Sequence, residues 1–166
     1  MSNIILIGMP GAGKSTVGVV LAKAMGFGFI DTDLLIQTKE GRQLYRIIEQ
    51  RGSKGFLALE NEVVSSLWAE RCVIATGGSV IYGADAMKHL KTMGKIVYLQ
   101  LDAAHLIRRV KNLPTRGIVM EQGESLEDLY QERAPLYEKY ADVVFPVGER
   151  TIEETVLELQ QICLLY

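Results

Sequence analysis

Residues 4–18 read IILIGMPGAGKSTVG, and this stretch decides the fold. Within it, Gly8 to Ser15 fits the phosphate-binding pattern G-x-x-x-x-G-K-[ST], between an apolar run and a helical stretch. The glycines let the backbone curl so that its N–H groups face phosphate oxygens, and the positive end of the following helix adds to that attraction. The motif predicts a nucleoside triphosphate site in which Lys14 reaches the β- and γ-phosphates and the Ser15 hydroxyl binds Mg²⁺.

The composition is that of one globular domain. The chain has 166 residues, a net charge of −2 and 48% hydrophobic residues, which is enough for one core and excludes disorder. No basic stripe indicates a nucleic-acid surface, and no apolar run approaches the roughly 18 residues of a membrane span. The two cysteines fit neither a disulfide framework nor a metal site. We therefore expect residues 1–166 to form a cytoplasmic monomer with no nucleic-acid or membrane partner.

Short apolar runs alternate with longer amphipathic stretches along the chain. Strands are expected at residues 4–7, 27–30, 72–75, 96–101 and 142–147. Helices are expected at residues 15–25, 33–51 and 53–70, and from about 151 onward. Continuously apolar strands between helices are typical of a parallel sheet covered on both faces. The sequence predicts an α/β, three-layer sandwich of the P-loop NTPase type, with a five-stranded parallel sheet and ligands at the carboxyl ends of the strands.

One segment, NLPTRGIVMEQG at residues 112–123, fits neither helix nor strand. A loop of this length in so small a domain is usually a functional lid or a disordered link. Arg116 lies in its middle, and an arginine lowered over a transferring phosphoryl group stabilises its charge and excludes water. The alternative is a solvated loop arginine. We expect a mobile lid that is poorly ordered without ligand.

Two carboxylates follow the second expected strand. Asp31 and Asp33 are two positions apart, so the strand period would place both on one side. One can hold a magnesium-bound water, and the other can accept a proton from an attacking hydroxyl or orient it. Asp102 follows the fourth strand in a similar way, but it also precedes a helical stretch, which favours a helix-capping role.

A second glycine turn, TGGS at residues 76–79, ends the third strand. Gly77, Gly78 and Ser79 there allow close approach of the backbone, whose N–H groups can bind substrate oxygens; the alternative is a plain strand-to-helix turn. Arg133 opens the stretch RAPLYEKYADVV, which is more specific than an isolated helix charge. Arg108 and Arg109 precede the lid, where one could stack on an adenine ring.

These motifs together resemble the shikimate kinases. The resemblance rests on GMPGAGKSTVG, FIDTDLLI, GFLALENEVV, GGS, LPTRG and RAPLYEKYADVV, which span nearly the whole chain. It implies a five-stranded parallel sheet, a lid and a substrate-binding region at about residues 33–60. It also implies ATP- and Mg²⁺-dependent phosphorylation of the 3-hydroxyl of shikimate, with Asp33 binding the ring hydroxyls and acting as base, Asp31 serving magnesium and Arg133 binding the substrate carboxylate.

The expected site is therefore defined residue by residue. The expected catalytic residues are Lys14, Asp33 and Arg116. The expected ATP-binding residues are Gly11, Ala12, Gly13, Lys14, Ser15, Thr16, Arg109, Arg116 and Arg150. The expected substrate-binding residues are Asp33, Gly77, Gly78, Ser79 and Arg133. The expected metal ligands are Ser15 and Asp31.

The sequence departs from the family pattern at several positions, and these departures leave the identity of the phosphoryl acceptor open. Leu57 stands where a substrate-binding arginine is usual, and the loss of one charged hydrogen bond would weaken binding roughly 10- to 150-fold. Lys54, one helical turn earlier, could compensate as a point charge. Other departures are Ser53, Ser79 and Gly117. The alternatives are a kinase of a related polyol or acid, a nucleoside-monophosphate kinase, and a non-catalytic ATP-binding module.

Overall fold

The computed structural model describes residues 2–110 and 117–164. The strands are β1 (Asn3–Ile7), β2 (Gly28–Asp31), β3 (Cys72–Ala75), β4 (Gly94–Gln100) and β5 (Val143–Pro146). The helices are α1 (Lys14–Met25), α2 (Thr32–Glu40), α3 (Leu44–Ser65), α4 (Ala84–Met93), α5 (Ala103–Arg109), α6 (Leu126–Tyr140) and α7 (Ile152–Leu164), and a 3₁₀ turn lies at Val80–Tyr82.

The strands form one parallel sheet in the order β2-β3-β1-β4-β5, with β1 at its centre. Every residue of β1 is buried, because neighbouring strands pair with it on both sides and helices cover both faces. The predicted five-stranded parallel sheet is confirmed. In a sheet of this kind the loops after β1, β2 and β3 open at one edge, and that edge carries the site described below.

Capping at helix ends explains where the observed element boundaries differ from the expected ones. Gly26 caps α1 in the left-handed conformation, as predicted, and the Phe27 N–H completes the cap by donating to Ala22 O at 2.9 Å. Because of that cap, β2 begins one residue later than expected. The expected helix at 33–51 is instead divided at Gly41, which caps α2 with φ of 65°. Gly52 (φ 69°, ψ 172°) is non-helical and kinks α3, so the expected break between residues 51 and 53 is present.

A second, smaller core lies apart from the sheet. It consists of buried apolar side chains from α2, α3 and the segment before α6: Ile36, Leu44, Ile47, Phe56, Leu59, Val63 and Val119. Five of its seven buried members lie within the expected substrate-binding region, residues 33–60. Of the expected lid, residues 112–116 lie outside the described residues, and residues 117–123 lead from there toward α6.

Cys72 and Cys163 are free and half-buried. None of the helices in the described part of the chain is long and apolar enough to cross a membrane.

Candidate active site

The glycine loop follows β1 and ends at the first turn of α1. Gly13 is the N-cap of that helix, with φ of 96°, which a residue with a side chain rarely adopts. Gly8 has φ of 147°, and a Cβ there would lie 2.8 Å from the carbonyl oxygen of Leu99. The loop therefore needs glycine at both positions, and its curl opens toward the carboxyl end of the sheet.

Lys14 is buried at the centre of this loop. Its Nζ donates to the carbonyl oxygens of Gly8 at 2.7 Å and Met9 at 2.9 Å. Burial lowers the pKa of the ammonium group to about 8, and the nearby carboxylates of Asp33 and Asp31 oppose that shift. The lysine is held over the loop, where phosphate oxygens would replace these carbonyl partners.

Asp31 joins the glycine loop to helix α2. It is the N-cap of α2, where its Oδ1 accepts from the Asp33 N–H at 2.9 Å, and its Oδ2 accepts from the Ser15 hydroxyl at 2.6 Å. The expectation that a strand period places both carboxylates on one side is wrong, because Asp33 already belongs to the helix. The capping geometry brings them together instead.

Asp33 places one carboxyl oxygen against Gly77, where an added Cβ would lie 2.8 Å from Oδ1. Its Oδ1 is buried and has no hydrogen-bond partner among the described residues. Burial raises the pKa of this carboxyl to about 6; the Asp31 charge adds to the rise and Lys14 opposes it. An unpartnered buried acceptor is costly in the protein alone, so its natural partner is a donor on a ligand.

The turn at residues 76–79 forms hydrogen bonds with several other elements of the protein. The Gly77 N–H donates to the Thr32 hydroxyl at 3.2 Å, and the Tyr137 hydroxyl donates to the Gly78 carbonyl at 2.5 Å. The Ser79 hydroxyl donates to Glu60 at 2.6 Å. Gly77 therefore already uses the backbone N–H that the sequence assigned to substrate, and the Ser79 hydroxyl is also used within the protein.

Glu60 is a buried acid of the site that sequence reasoning missed. It is 2% exposed, and burial raises the pKa of its carboxyl to about 7, while the Ser79 hydrogen bond lowers it. The signal was present in the spacing of α3: Glu60 shares the buried face of the helix with Phe56, Val63 and Val64. A charged residue on such a face is rarely there for packing alone.

Arg133 extends from α6 into the same region and is 1% exposed. Its Nη2 donates to the carbonyl oxygen of Val119 at 2.6 Å, and its guanidinium lies 5.3 Å from the ring centroid of Tyr82. Its Nε is buried without a partner in the described chain. The guanidinium is thus held by Val119 and Tyr82, and it supplies positive charge for an anionic group at this site.

These elements enclose one cavity of about 460 Å³. Its lining includes, among the expected site residues, Gly11, Gly13, Lys14, Ser15, Thr16, Asp33, Gly77, Gly78, Ser79, Arg109 and Arg133. Phe56, Thr76, Leu44 and residues 117–119 complete most of the wall. The phosphate loop and the expected acceptor groups therefore share one space.

Some expected residues lie elsewhere. Arg150 does not line the cavity, since its Nε donates to Glu158 and its Nη1 to the Pro146 carbonyl, both at 2.8 Å. Ala12 is buried and Asp31 lies behind the wall. Arg116 lies outside the described residues.

Two further expectations concern helices near the cavity. Lys54 is exposed and does not line it, and Leu57 packs against the second core, so the compensation expected from Lys54 is absent from this arrangement. The N-cap role of Asp102 is confirmed, because its Oδ1 accepts from the His105 N–H at 2.9 Å. His105 is not isolated, since its ring nitrogens contact Asp102 and Glu149.

Comparisons with known proteins agree with this geometry. A family model described as shikimate kinase matches residues 10–163. Shikimate kinase of Methylococcus capsulatus is 36% identical over 157 residues, covering 93% of this chain and 88% of the relative. Shikimate kinase of Francisella tularensis subsp. holarctica is 39% identical over 158 residues, covering 93% and 90%.

Solved structures show the same relationship. Shikimate kinase from Acinetobacter baumannii in complex with shikimate superposes with a TM-score of 0.90 at 31% identity, covering 99% of this chain and 94% of that one. Shikimate kinase from Aquifex aeolicus superposes with a TM-score of 0.80 at 32% identity, covering 96% and 94%. On the sequence match, the shared fold and the cavity, the chain belongs to the shikimate kinase family.

Proposed function

We propose that this protein transfers the γ-phosphoryl group of ATP to the 3-hydroxyl of shikimate. The observation that carries the proposal is the single cavity in which the glycine loop with Lys14 faces Asp33 and the buried Arg133. A polyphosphate, an alcohol and a carboxylate each have a matching group there. Relatives named as shikimate kinases, one of them solved with shikimate, support this choice of acceptor.

Asp33 is the residue that receives the acceptor hydroxyl in this proposal. Its carboxylate, which lines the cavity, accepts the hydroxyl proton or orients the oxygen for in-line attack. Lys14 balances the negative charge on the transferred group from the opposite side, and Arg116 of the lid adds to it on closure. Arg133, whose side chain lines the cavity, anchors the carboxylate with its guanidinium.

Mg²⁺ fits the oxygen groups beside the loop. The Ser15 hydroxyl and the Asp31 carboxylate are 2.6 Å apart, and both are the hard oxygen ligands that this ion prefers. No group of three or more His, Cys, Asp or Glu side chains within residues 2–110 and 117–164 could hold a metal by itself. Bound with ATP, the ion would neutralise charge on the β- and γ-phosphates.

We further propose that residues 1–166 act as one kinase domain, a cytoplasmic monomer, whose lid at about 112–123 closes over the nucleotide. The second core, which holds residues on both α2 and α3, supplies the acceptor side of this domain. Size-exclusion chromatography with light scattering checks the monomer, and a mass near twice 18.4 kDa would contradict it.

An acceptor screen tests the proposed function. ADP release is measured with Mg·ATP and shikimate, and the product is identified as a phosphorylated shikimate by mass spectrometry. We expect stimulation by shikimate at millimolar or lower concentration and little with AMP, CMP or related polyol acids. Because Leu57 faces the second core, Arg133 must hold the carboxylate without help from that position, so we expect a weak shikimate KM. Absence of stimulation, with Mg·ATP still bound in calorimetry, would favour the non-catalytic alternative.

A further inference from the structure

The Ser79 hydroxyl is committed to a second buried side chain. Ser79 and Glu60 are 5% and 2% exposed, and the Ser79 Oγ donates to Glu60 Oε2 at 2.6 Å. A hydroxyl that donates to a carboxylate forms one of the stronger hydrogen bonds in proteins. The single hydrogen of this hydroxyl is therefore used within the protein, although Ser79 lines the cavity.

The other oxygen of Glu60 lies beside Asp33. Glu60 Oε1 and Asp33 Oδ1 are both buried, and neither has a partner among the described residues. A Cβ at Gly77 would lie 2.5 Å from the first of these oxygens and 2.8 Å from the second. Because Gly77 has no side chain, both oxygens can lie close to the position that a Cβ would occupy. Because Ser79 holds Oε2, the carboxyl group of Glu60 cannot turn away without breaking that bond.

The same bond connects the turn at residues 76–79 with helix α3. Other hydrogen bonds tie this turn to Thr32 at the start of α2 and to Tyr137 on α6. Without the Ser79 bond, the last residue of the turn would lose its link to the element that carries Glu60. The wall of the cavity that this turn forms would then be fixed at fewer points.

We propose that Ser79 is a positioning residue for the phosphoryl acceptor and that it acts through Glu60. The Ser79–Glu60 hydrogen bond holds the turn at 76–79 and keeps Glu60 Oε1 next to Asp33 Oδ1, so that the acceptor meets a wall of fixed shape. This role differs from the direct substrate contact that the sequence predicts for Ser79. The inference rests on the proposed function, because it concerns the acceptor of that reaction.

A double-mutant cycle with steady-state kinetics tests it. Ser79→Ala, Glu60→Gln, Glu60→Leu and the double variant of Ser79→Ala with Glu60→Leu are compared with the unmodified protein while shikimate and ATP are varied separately. Ser79→Ala should raise the shikimate KM about tenfold, since a charged hydrogen bond is lost, while the ATP KM and kcat stay within about threefold. Glu60→Gln keeps an oxygen that can accept from Ser79, so it should cause a smaller loss, and the cycle is closed with Glu60→Leu, which removes the acceptor. In the Glu60→Leu background, Ser79→Ala should add less than about twofold.

The matched control is Ser66→Ala, which removes a hydroxyl that donates to the Val63 carbonyl at 3.0 Å at the end of the same helix. It should leave both KM values unchanged. An unmodified protein that does not use shikimate would overturn the proposed function, and this inference with it. Turnover by the unmodified protein, combined with equal effects of Ser79→Ala in both backgrounds, would overturn the inference alone, because the hydroxyl would then contact the acceptor directly. Parallel changes in both KM values would also overturn it.

Discussion

Burial shifts the pKa values of Lys14 and Asp33 in opposite directions, and the charge of each residue opposes the shift of the other. Burial alone favours the neutral form of each, and it lowers the lysine pKa to about 8 and raises the aspartate pKa to about 6. Each partner offsets part of the other's shift, so near neutral pH the pair is mostly charged. A charged lysine suits polyphosphate binding, and an aspartate with a pKa near the working pH suits proton acceptance.

Replacing Asp33 with Asn keeps the shape of the side chain and removes its ability to accept a proton. We expect kcat to fall about 10²- to 10⁴-fold, because positioned proton acceptance contributes on that scale. Calorimetric affinity for Mg·ATP should stay within a few-fold. Asp85→Asn, in the first turn of α4 and outside the cavity lining, is the matched control and should be fully active. Normal turnover by the Asp33 variant would contradict the role assigned to this carboxylate.

Glu60 makes stability depend on pH. Its carboxyl has a pKa of about 7 in the folded protein, against an ordinary value of 4.5, so between these values the folded state binds more protons than the unfolded state. The free energy of unfolding should therefore fall as pH rises through this range, by on the order of 3 kcal/mol from Glu60. Glu60→Gln should flatten the dependence.

Urea unfolding at pH values from about 5 to 8 measures this effect. Part of the slope should remain in the Glu60 variant, because the folded-state pKa of Asp33 is also raised. Lys14 stays protonated in both states over most of this range. Glu49→Gln, an exposed position on the same helix, is the control. Stability that rises with pH in the unmodified protein would show that Glu60 is not held in this environment.

At the scale of elements, the N-terminal caps of α2 and α5 help to position residues of the site. The cap of α2 brings Asp31 to Ser15, and the cap of α5 begins a helix that ends at Arg109 beside the cavity. His105 on α5 links that helix to the loop after β5, because its two ring nitrogens contact the Asp102 and Glu149 carboxylates. Two carboxylate partners favour the protonated ring and raise the pKa of His105 above its ordinary 6.5.

The bridge formed by His105 can be followed by NMR titration of its ring Cε1–H resonance. In Glu149→Gln one of the two carboxylates is lost, so the pKa of His105 should move down toward its ordinary value. Glu153→Gln, an exposed acid in the first turn of α7, should leave it unchanged. His89→Gln identifies which of the two histidine signals belongs to His105. An unchanged titration in the Glu149 variant would mean that the bridge does not form in solution.

At the scale of the whole molecule, the sequence predicted the sheet well because its signals are local. The apolar strands and the glycine loop can each be recognised from a few consecutive residues. The observed sheet agrees with the prediction made from them. The division at Gly41 was missed, because the apolar pattern continues past it and only the cap geometry ends α2. Boundaries that depend on capping are difficult to place from periodicity.

The site was predicted less completely, for a related reason. Lys14 and Asp33 could be found because they stand beside recognisable turns. Glu60 could not be assigned, since its role depends on Ser79 and Gly77, which are distant in sequence and meet only after folding. The side chain of Arg150 likewise turns to Glu158 for reasons that the motif does not contain.

Ligand binding should stabilise the entire domain. A ligand that binds only the folded state raises stability by about 2.7 kcal/mol at one hundred times its Kd. Mg·ADP should therefore raise the melting temperature by several degrees in differential scanning fluorimetry, and excess EDTA should remove much of that gain if Ser15 and Asp31 hold the ion. Ser15→Ala should show a smaller difference between the two conditions. An equal gain with and without EDTA would argue against this metal site.

Val119 contributes both to the second core and to the hydrogen bond that holds Arg133. Its side chain packs in the second core, and its carbonyl oxygen receives the Arg133 guanidinium at 2.6 Å. It also stands three positions after Arg116 in the sequence. An anion that draws Arg133 away from this carbonyl would remove the hydrogen bond that holds residue 119. Because residues 117–119 line the cavity, we expect binding at the acceptor end to shift that part of the wall, so the two substrates should not bind independently.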